Sequence, residues 1–253
     1  MLSDEQIIEV FKALADPNRL RLFELLLQSD QTNSELIVTT GLRQNLLSHH
    51  LNVLMSCGLV QGHRSIGDAR RYYYSVNFRI TCQMRQWWGI KTPECYPASM
   101  MLRQPQRVLF LCLHNATRSL FAEIIARHLF SGALIPYSAG LQEANTPLPP
   151  VALQVLAERN LPAHPLIQKN YTSLVGQAFD YVITVCDVVH EHDLVPELAQ
   201  ARCLHWSLVD PLDSAHDQAG QLTAARTLFE ELTLRIAFFV QRLAYEEIPV
   251  KVT

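Results

Sequence analysis

Two rhythms of apolar and polar positions run along this chain. Up to about residue 58 the apolar residues recur three and four apart, the spacing of helices with one buried face. Ile7, Ile8, Val10, Phe11 and Leu14 follow Ser3, with Glu5 and Gln6 close behind it, which reads as a capped first helix. Asp16-Pro17 opens a second, running to Leu27, because the fixed φ of proline suits a first helical turn. Thr32-Asn33-Ser34 caps a short third helix holding Leu36, Ile37 and Val38, and Gly41 breaks the chain after it. A fourth helix runs from about Arg43 to Cys57, with Leu46, Leu47, Leu51 and Leu54 turned inward and Gln44, Asn45, Ser48 and His49 outward. The rhythm then becomes strand-like over residues 59–64 and 70–76, around the connection Ser65-Ile66-Gly67-Asp68-Ala69. Helix, short turn with a glycine, helix, and then a hairpin with a basic tip describe a helix-turn-helix with a wing.

Residues 90–106 carry prolines and little periodicity and read as a semi-rigid linker. Beyond them strands and helices alternate. Strands are expected at 107–112, 133–139, 179–185 and 201–206, and helices from Ser119 to about Phe130, from Pro149 to Arg159 and from Leu222 to about Leu243. That alternation predicts a three-layer α/β domain, a parallel four-stranded sheet between helices, with its site at the carboxyl ends of the strands. The expected organisation is a winged helix-turn-helix domain over 1–89, a linker over 90–106 and the α/β domain over 107–250.

Charge changes the picture of the first domain only. The chain's net charge is −3, yet from Thr32 to Trp88 Arg43, Arg64, Arg70, Arg71, Arg79 and Arg85 face only Glu35 and Asp68. A basic segment in a mildly acidic protein points to a nucleic-acid face, with Gln44, Asn45, Ser48, His49, Arg64, Arg70 and Arg71 as its contacts. With 49% of residues hydrophobic, folded domains are expected rather than disorder. No apolar run approaches a membrane span, and the charged start Met1-Leu2-Ser3-Asp4-Glu5-Gln6 is no signal peptide, so a cytoplasmic protein without a membrane partner is expected. Six cysteines in such a chain point to reduced thiols with chemistry to do.

The chemistry is densest where the first α/β strand ends. Cys112 closes an apolar strand, Arg118 follows six positions later, and Ser119 opens a helix. A tight loop in that position gathers the backbone N–H groups of Leu113, His114, Asn115, Ala116, Thr117 and Arg118 beside a helix N-terminus. This is a binding place for a tetrahedral oxyanion. A thiol held there is biased towards thiolate by the helix dipole and by Arg118. The loop alone does not say which oxyanion it holds, and a buried structural cysteine is the plainer alternative. Cys186 ends another strand, and Asp210 follows a third. Cys186 with His190 and His192 has a metal-like spacing, but a solvated loop is the better reading of it.

Two resemblances sharpen this. Ala15-Asp16-Pro17-Asn18-Arg19-Leu20-Arg21-Leu22, Leu46-Leu47-Ser48-His49-His50-Leu51, Ser56-Cys57-Gly58-Leu59-Val60 and the Arg70-Arg71-Tyr72-Tyr73-Tyr74 wing resemble the ArsR/SmtB family of winged-helix repressors. The resemblance covers roughly residues 5–88 and implies a homodimer, built largely from the first and last helices of the domain, on palindromic operator DNA. The Cys-x-Cys of the arsenic-sensing branch is absent, since Ile37-Val38-Thr39 follows Glu35-Leu36. This leaves Cys82 and Cys95, with Cys57 or a partner's cysteine as third ligand, as the candidate site for arsenite as inducer; cysteines merely beside a dimer interface are the alternative.

The second half resembles the low-molecular-weight tyrosine phosphatase fold and, within it, the arsenate reductases. The matching pieces are residues 108–119, Tyr137-Ser138-Ala139-Gly140, residues 179–187 and His205-Trp206-Ser207-Leu208-Val209-Asp210-Pro211. The resemblance implies Cys112 as nucleophile on arsenate, Asn115 as brace of the loop, Ser119 as activator, Arg118 as clamp on two oxygens, Asp210 as proton donor and Cys186 as second thiol. Leu212 stands where a phosphatase of this fold usually has Tyr. Thioredoxin-coupled reductases carry a third cysteine seven or eight residues after the second, where this chain has Asp193 and Leu194; Cys203 lies further on. No bound cofactor is expected, and an external thiol reductant (glutathione, glutaredoxin or thioredoxin) would complete the cycle. A protein tyrosine phosphatase and a non-catalytic oxyanion-sensing domain are the alternatives to arsenate reduction.

Overall fold

A computed structural model describes residues 2–89, 102–142, 147–162, 167–192, 198, 200–215 and 217–247. The chain divides into two compact units, residues 1–95 with 205–207 and residues 96–204 with 208–253.

The first unit is helical with a small sheet. α1 (Asp4–Leu14) begins at a capping box, in which the Ser3 side chain and the Gln6 side chain each satisfy the other's backbone N–H. α2 (Pro17–Gln28) is capped by Asp16, whose carboxylate accepts from the Asn18 and Arg19 N–H groups. α3 (Asn33–Thr40) has a second capping box, Thr32 with Glu35, and ends at Gly41 in the left-handed region at φ 71°. α4 (Gln44–Ser56) follows, and then β2 (Val60–Arg64), β3 (Tyr72–Val76) and α5 (Phe78–Trp87), which Asn77 caps. β1 (Gln31–Thr32) joins the hairpin, giving the antiparallel order β1-β3-β2. Leu22, Leu26, Leu36, Leu47, Leu51, Leu54 and Tyr73 have essentially no exposure and form the core. Each such burial is worth roughly 1.5–3 kcal/mol before the entropy of ordering is set against it.

Leu46, read as inward from periodicity, lies outward at 43% exposure; Val38, 84% exposed, and Ile8 and Phe11 are apolar residues on the outer faces of their helices as well. The inward face of α4 is Leu47, His50, Leu51 and Leu54. Leu46 sits about a hundred degrees round the helix from Leu47, off that face.

The second unit carries a four-stranded sheet in the order β5-β4-β6-β7, from β4 (Gln106–Cys112), β5 (Leu134–Gly140), β6 (Tyr181–Thr184) and β7 (Arg202–His205). β4 pairs in parallel with β5 and with β6, as the strand–helix alternation predicts. Val108, Leu109, Phe110 and Leu111 are wholly buried, the continuous apolar run of a strand covered on both faces. α6 (Arg118–Leu129) packs on β4 and β5, and α10 (Gln218–Glu247) packs on α6, on α7 (Pro150–Glu158) and on α9 (Pro211–Ser214). Single-turn elements at Tyr171–Leu174, at Asp187–His190 (α8) and in α9 were not expected from periodicity, being shorter than one repeat of a buried face. α6 begins one residue earlier than expected, at Arg118, and α10 begins at Gln218. Residues 90–101 of the linker and the last residues of the chain lie outside the described residues. No helix among the described residues is long and apolar enough to cross a membrane.

Candidate active site

The loop between β4 and α6 is built from the sulfur outward. Cys112 is 2% exposed at the end of a central strand. Its Sγ receives the Asn115 backbone N–H at 3.1 Å and shares a hydrogen bond with Ser119 Oγ at 2.9 Å. Asn115 adopts φ 50°, a left-handed conformation that asparagine tolerates better than most residues, and it is wholly buried. Its Nδ2 donates to Ser119 Oγ at 2.9 Å, and its Oδ1 accepts the Lys169 backbone N–H at 2.8 Å. The amide is thereby fixed at both ends. A sulfur with two donors beside a helix N-terminus is set up to hold negative charge.

Opposite the loop, the end of β5 comes very close. A Cβ at Gly140 would stand 2.9 Å from the Asn115 nitrogen, the His114 carbonyl carbon and the Leu113 oxygen, all backbone atoms. Glycine is required there by approach. The next amides anchor the same loop, Leu141 N–H to the Cys112 carbonyl at 3.1 Å and Gln142 N–H to the Leu113 carbonyl at 2.8 Å. His114 lies exposed at the rim and meets Gln142 Oε1 at 3.1 Å.

Arg118 is buried, and its guanidinium is largely committed. Nη1 donates to the Leu208 carbonyl at 3.0 Å and Nη2 pairs with Asp210 Oδ2 at 3.0 Å. Nε is buried with no hydrogen-bond partner among the described residues, as is Thr117 Oγ1. The expected two-oxygen clamp by this side chain therefore starts from a fork partly occupied by Asp210, which the sequence did not indicate. Burial pulls against the Arg118 charge, but Cys186, Asp210 and Cys112 nearby outweigh it and hold its pKa above the ordinary value. Asp210 also caps α9, accepting the Leu212 N–H at 3.1 Å.

Cys186 is 2% exposed. Burial pushes its thiol up to about 11; Arg118 opposes this, the neighbouring Cys112 adds to it, and the Val189 and Leu113 backbone N–H groups favour the thiolate. Cys186 thus shares its electrostatic surroundings with the loop that holds Cys112. Cys203 is exposed, at β7, and burial of its sulfur raises its pKa. Asp193 and Leu194 lie outside the described residues. His190 and His192 form no metal-binding group with Cys186, because no cluster of three such ligands occurs among the described residues.

On the first unit, Gln44, Asn45 and His49 are exposed along α4 and Ser48 is half-buried. The wing tip exposes Arg64, Arg70 and Arg71. Ser65 Oγ accepts the Gly67 and Asp68 N–H groups at 2.9 and 3.1 Å, and Arg64 bridges to the Ala69 carbonyl at 3.0 Å. Asp68 pairs with Arg70 at 2.9 Å, and the hydrogen bonds from Arg70 hold its carboxyl down at about 2. Cys82 is buried on α5 and Cys57 half-buried at the end of α4, while Cys95 lies outside the described residues.

Sequence reasoning missed Lys169, Gly140 and the Leu208 carbonyl. Of these only Gly140 carried a signal, a glycine closing a strand beside the loop.

A family model for low molecular weight phosphotyrosine protein phosphatase matches residues 107–246, and one for bacterial regulatory protein, arsR family, matches residues 16–61. A probable mercury resistance operon repressor of Streptomyces lividans is 39% identical over 66 residues, which are 26% of this chain and 50% of that protein. The chain thus spans about half the length of that relative. The transcriptional repressor SdpR of Bacillus subtilis is 31% identical over 78 residues, 31% of this chain and 83% of that protein. Among solved structures, an arsenate reductase from Archaeoglobus fulgidus is 25% identical and covers 53% of this chain and 98% of its own, with a TM-score of 0.44. A phosphate-bound arsenate reductase is 24% identical over 56% of this chain and 98% of its own, also with a TM-score of 0.44. Over residues 107–246 this chain belongs to the low molecular weight phosphotyrosine protein phosphatase family, and in the same polypeptide that domain follows an arsR-family DNA-binding region.

Proposed function

We propose that this protein is an arsenic-responsive transcriptional repressor fused to a thiol-dependent arsenate reductase. The observation that carries the reduction, as against phosphate-ester hydrolysis, is the second buried thiol, Cys186, in the electrostatic reach of Cys112 and Arg118 and served by the Leu113 N–H of the loop. A hydrolase needs only one thiol.

In this reading the Cys112 thiolate attacks arsenic, and one arsenate oxygen leaves as water with a proton from Asp210. The loop amides and Arg118 hold the remaining oxygens, with Asn115 and Ser119 keeping the sulfur in place. The Cys186 thiolate then attacks the Cys112 sulfur, the sulfur–arsenic bond breaks, and its electron pair stays on arsenic. Arsenite departs and a Cys112–Cys186 disulfide remains, two electrons having passed from the thiols to arsenic. An external thiol, glutathione, a glutaredoxin or thioredoxin, reduces the disulfide.

The arsR-family region would bind operator DNA as a homodimer, with Gln44, Asn45, Ser48 and His49 facing base edges and Arg64, Arg70 and Arg71 facing phosphates. Trp87, edge-on to Phe11 at 6.1 Å, and Trp88, tilted against it at 5.6 Å, are exposed with Phe11 and support a partner's helices as the cover of that face. Arsenite is the inducer in this reading, taken by Cys82 and Cys95, and the cytoplasm is where reducing thiols and operator meet.

The test is arsenate-dependent thiol oxidation by wild type, Cys112→Ser and Cys186→Ser. Loss of arsenite formation in both variants is expected. Phosphatase activity that survives Cys186→Ser, with no arsenite from wild type under any thiol reductant, would sink the reductase reading.

A further inference from the structure

Glu123 lies on α6 beyond the loop, is 3% exposed, and takes no part in the reaction above. A buried carboxylate is costly unless charge and hydrogen bonds compensate it. Here three groups converge on it. Arg127 Nη2 meets Oε1 at 2.6 Å, Lys169 Nζ meets Oε2 at 3.4 Å, and the wholly buried Ser138 hydroxyl on β5 donates to Oε2. Lys169 belongs to no helix or strand, yet both of its peptide groups are used. Its carbonyl accepts the Gly140 N–H at 2.8 Å, and its own N–H donates to Asn115 Oδ1 at 2.8 Å.

We propose that Glu123 and Lys169 are positioning residues for the Cys112 nucleophile: their ion pair fixes the Lys169 backbone against Asn115, and Asn115 aims the Ser119 hydroxyl at the Cys112 sulfur. The proposal rests on the reading of Cys112 as nucleophile. The direction of each bond follows from donor chemistry. The Lys169 N–H can only donate, so it selects the oxygen end of the Asn115 amide. The nitrogen end must then face Ser119, and its N–H donates to Oγ at 2.9 Å. Ser119 has one hydroxyl proton, and with Oγ already accepting, that proton is directed to Cys112 Sγ at 2.9 Å. The Asn115 backbone N–H supplies the second donor to the sulfur at 3.1 Å. Loosening Lys169 frees the Asn115 amide to turn. Ser119 can then donate elsewhere, and the sulfur loses one of its two stabilising donors. Lys169, like Asn115, stands in an irregular segment; its backbone is held by the Gly140 N–H, and its side chain by Glu123.

The test uses the full chain and variants Glu123→Gln, Lys169→Met, Lys169→Arg and the double Glu123→Gln/Lys169→Met. The readout is the pH dependence of Cys112 alkylation by iodoacetamide, with the Cys112 peptide resolved by mass spectrometry from the other cysteines. A lost hydrogen bond to a charged group predicts that alkylation at pH 7 falls about tenfold and that the half-maximal rate moves up about one pH unit in each single loss variant. The double variant is expected to be no worse than the poorer single, since the two act as one unit, and Lys169→Arg to restore the wild-type profile. An unchanged profile in Lys169→Met overturns the proposal, whatever happens to the melting temperature, and so does full additivity in the double. If Glu123→Gln does not fold, Lys169→Met and Lys169→Arg decide it. If wild-type Cys112 itself reacts like an ordinary thiol, the nucleophile reading fails first and takes this one with it. That outcome is distinct from an activated wild type with indifferent variants.

Discussion

Gly140→Ala is the sharpest single perturbation of the candidate site. The new methyl would stand 2.9 Å from three backbone atoms of the Cys112 loop, where ordinary contact begins at 3.4 Å. Backbone cannot swing aside as a flexible side chain does, so the loop must lift by about 0.5 Å or the end of β5 must retreat. Either movement stretches the Leu141 N–H to Cys112 carbonyl and Gln142 N–H to Leu113 carbonyl bonds, now 3.1 and 2.8 Å. Overpacking of this kind costs roughly 1–3 kcal/mol. A displacement near 1 Å at a reacting centre costs on the order of a hundredfold in rate, so about half that shift should cost about tenfold. The assay is arsenate reduction under a saturating thiol reductant, followed as kcat/KM, beside thermal unfolding of the same preparation. We expect kcat/KM at least tenfold down and a melting temperature lower by a few degrees. Gly41→Ala is the control. Gly41 also resists substitution, but through its φ of 71° with no atom within 4 Å, so it should lose about 1 kcal/mol of stability and leave arsenate reduction unchanged. Gly140→Ala with activity within twofold of wild type would refute the steric argument.

Three further outcomes follow from charge. The Cys186 thiol sits at about 11, so its thiolate fraction grows tenfold per pH unit below that value; disulfide formation on the arsenate-loaded enzyme should rise with a slope near one in log rate from pH 7 to 9, and a flat profile would exclude Cys186 as the second attacker. Asp68, charged at any pH where DNA binding is measured, holds Arg70, so Asp68→Asn should steepen the dependence of log operator affinity on log salt by about 0.9 per wing, and Arg70→Ala should flatten it similarly. His50 is buried on α4 with its pKa lowered from 6.5, by burial first, against the opposing pull of Asp16. The unfolded chain therefore takes up the proton before the folded one does. Stability is fully present above pH 6.5 and declines as pH falls below it towards the folded value, and His50→Gln should flatten that decline in thermal melts between pH 7.5 and 5.5.

Some of this was written plainly in the sequence. The uninterrupted apolar run before Cys112 is a doubly covered strand, and the short turn from β4 into α6 brings Cys112, Asn115, Arg118 and Ser119 together around one loop. Ser3, Asp16 and Thr32 cap helices as their side chains dictate. Leu46 misled because it is apolar, whereas angle decides burial on a helix; His50, polar, holds the inward place. Lys169 was illegible for a deeper reason. It reaches Asn115 with a backbone N–H, a group that every residue except proline carries, so no side-chain pattern can announce it. The single turns at Asp187–His190 and Pro211–Ser214 escaped because one turn shows no period.

The placing of β4 between β5 and β6 has a consequence for how the molecule opens. Its amide hydrogens are locked on both flanks and buried on both faces, so they should exchange with solvent only when the whole domain unfolds. The segments that brace Asn115 and Arg118, at Lys169 and at Leu208, belong to no strand or helix and should exchange by local opening. The nucleophile thus stands on the last part of the domain to melt, while the outer supports of Asn115 and Arg118 belong to the first. Heating should dull the chemistry well before it dissolves the fold.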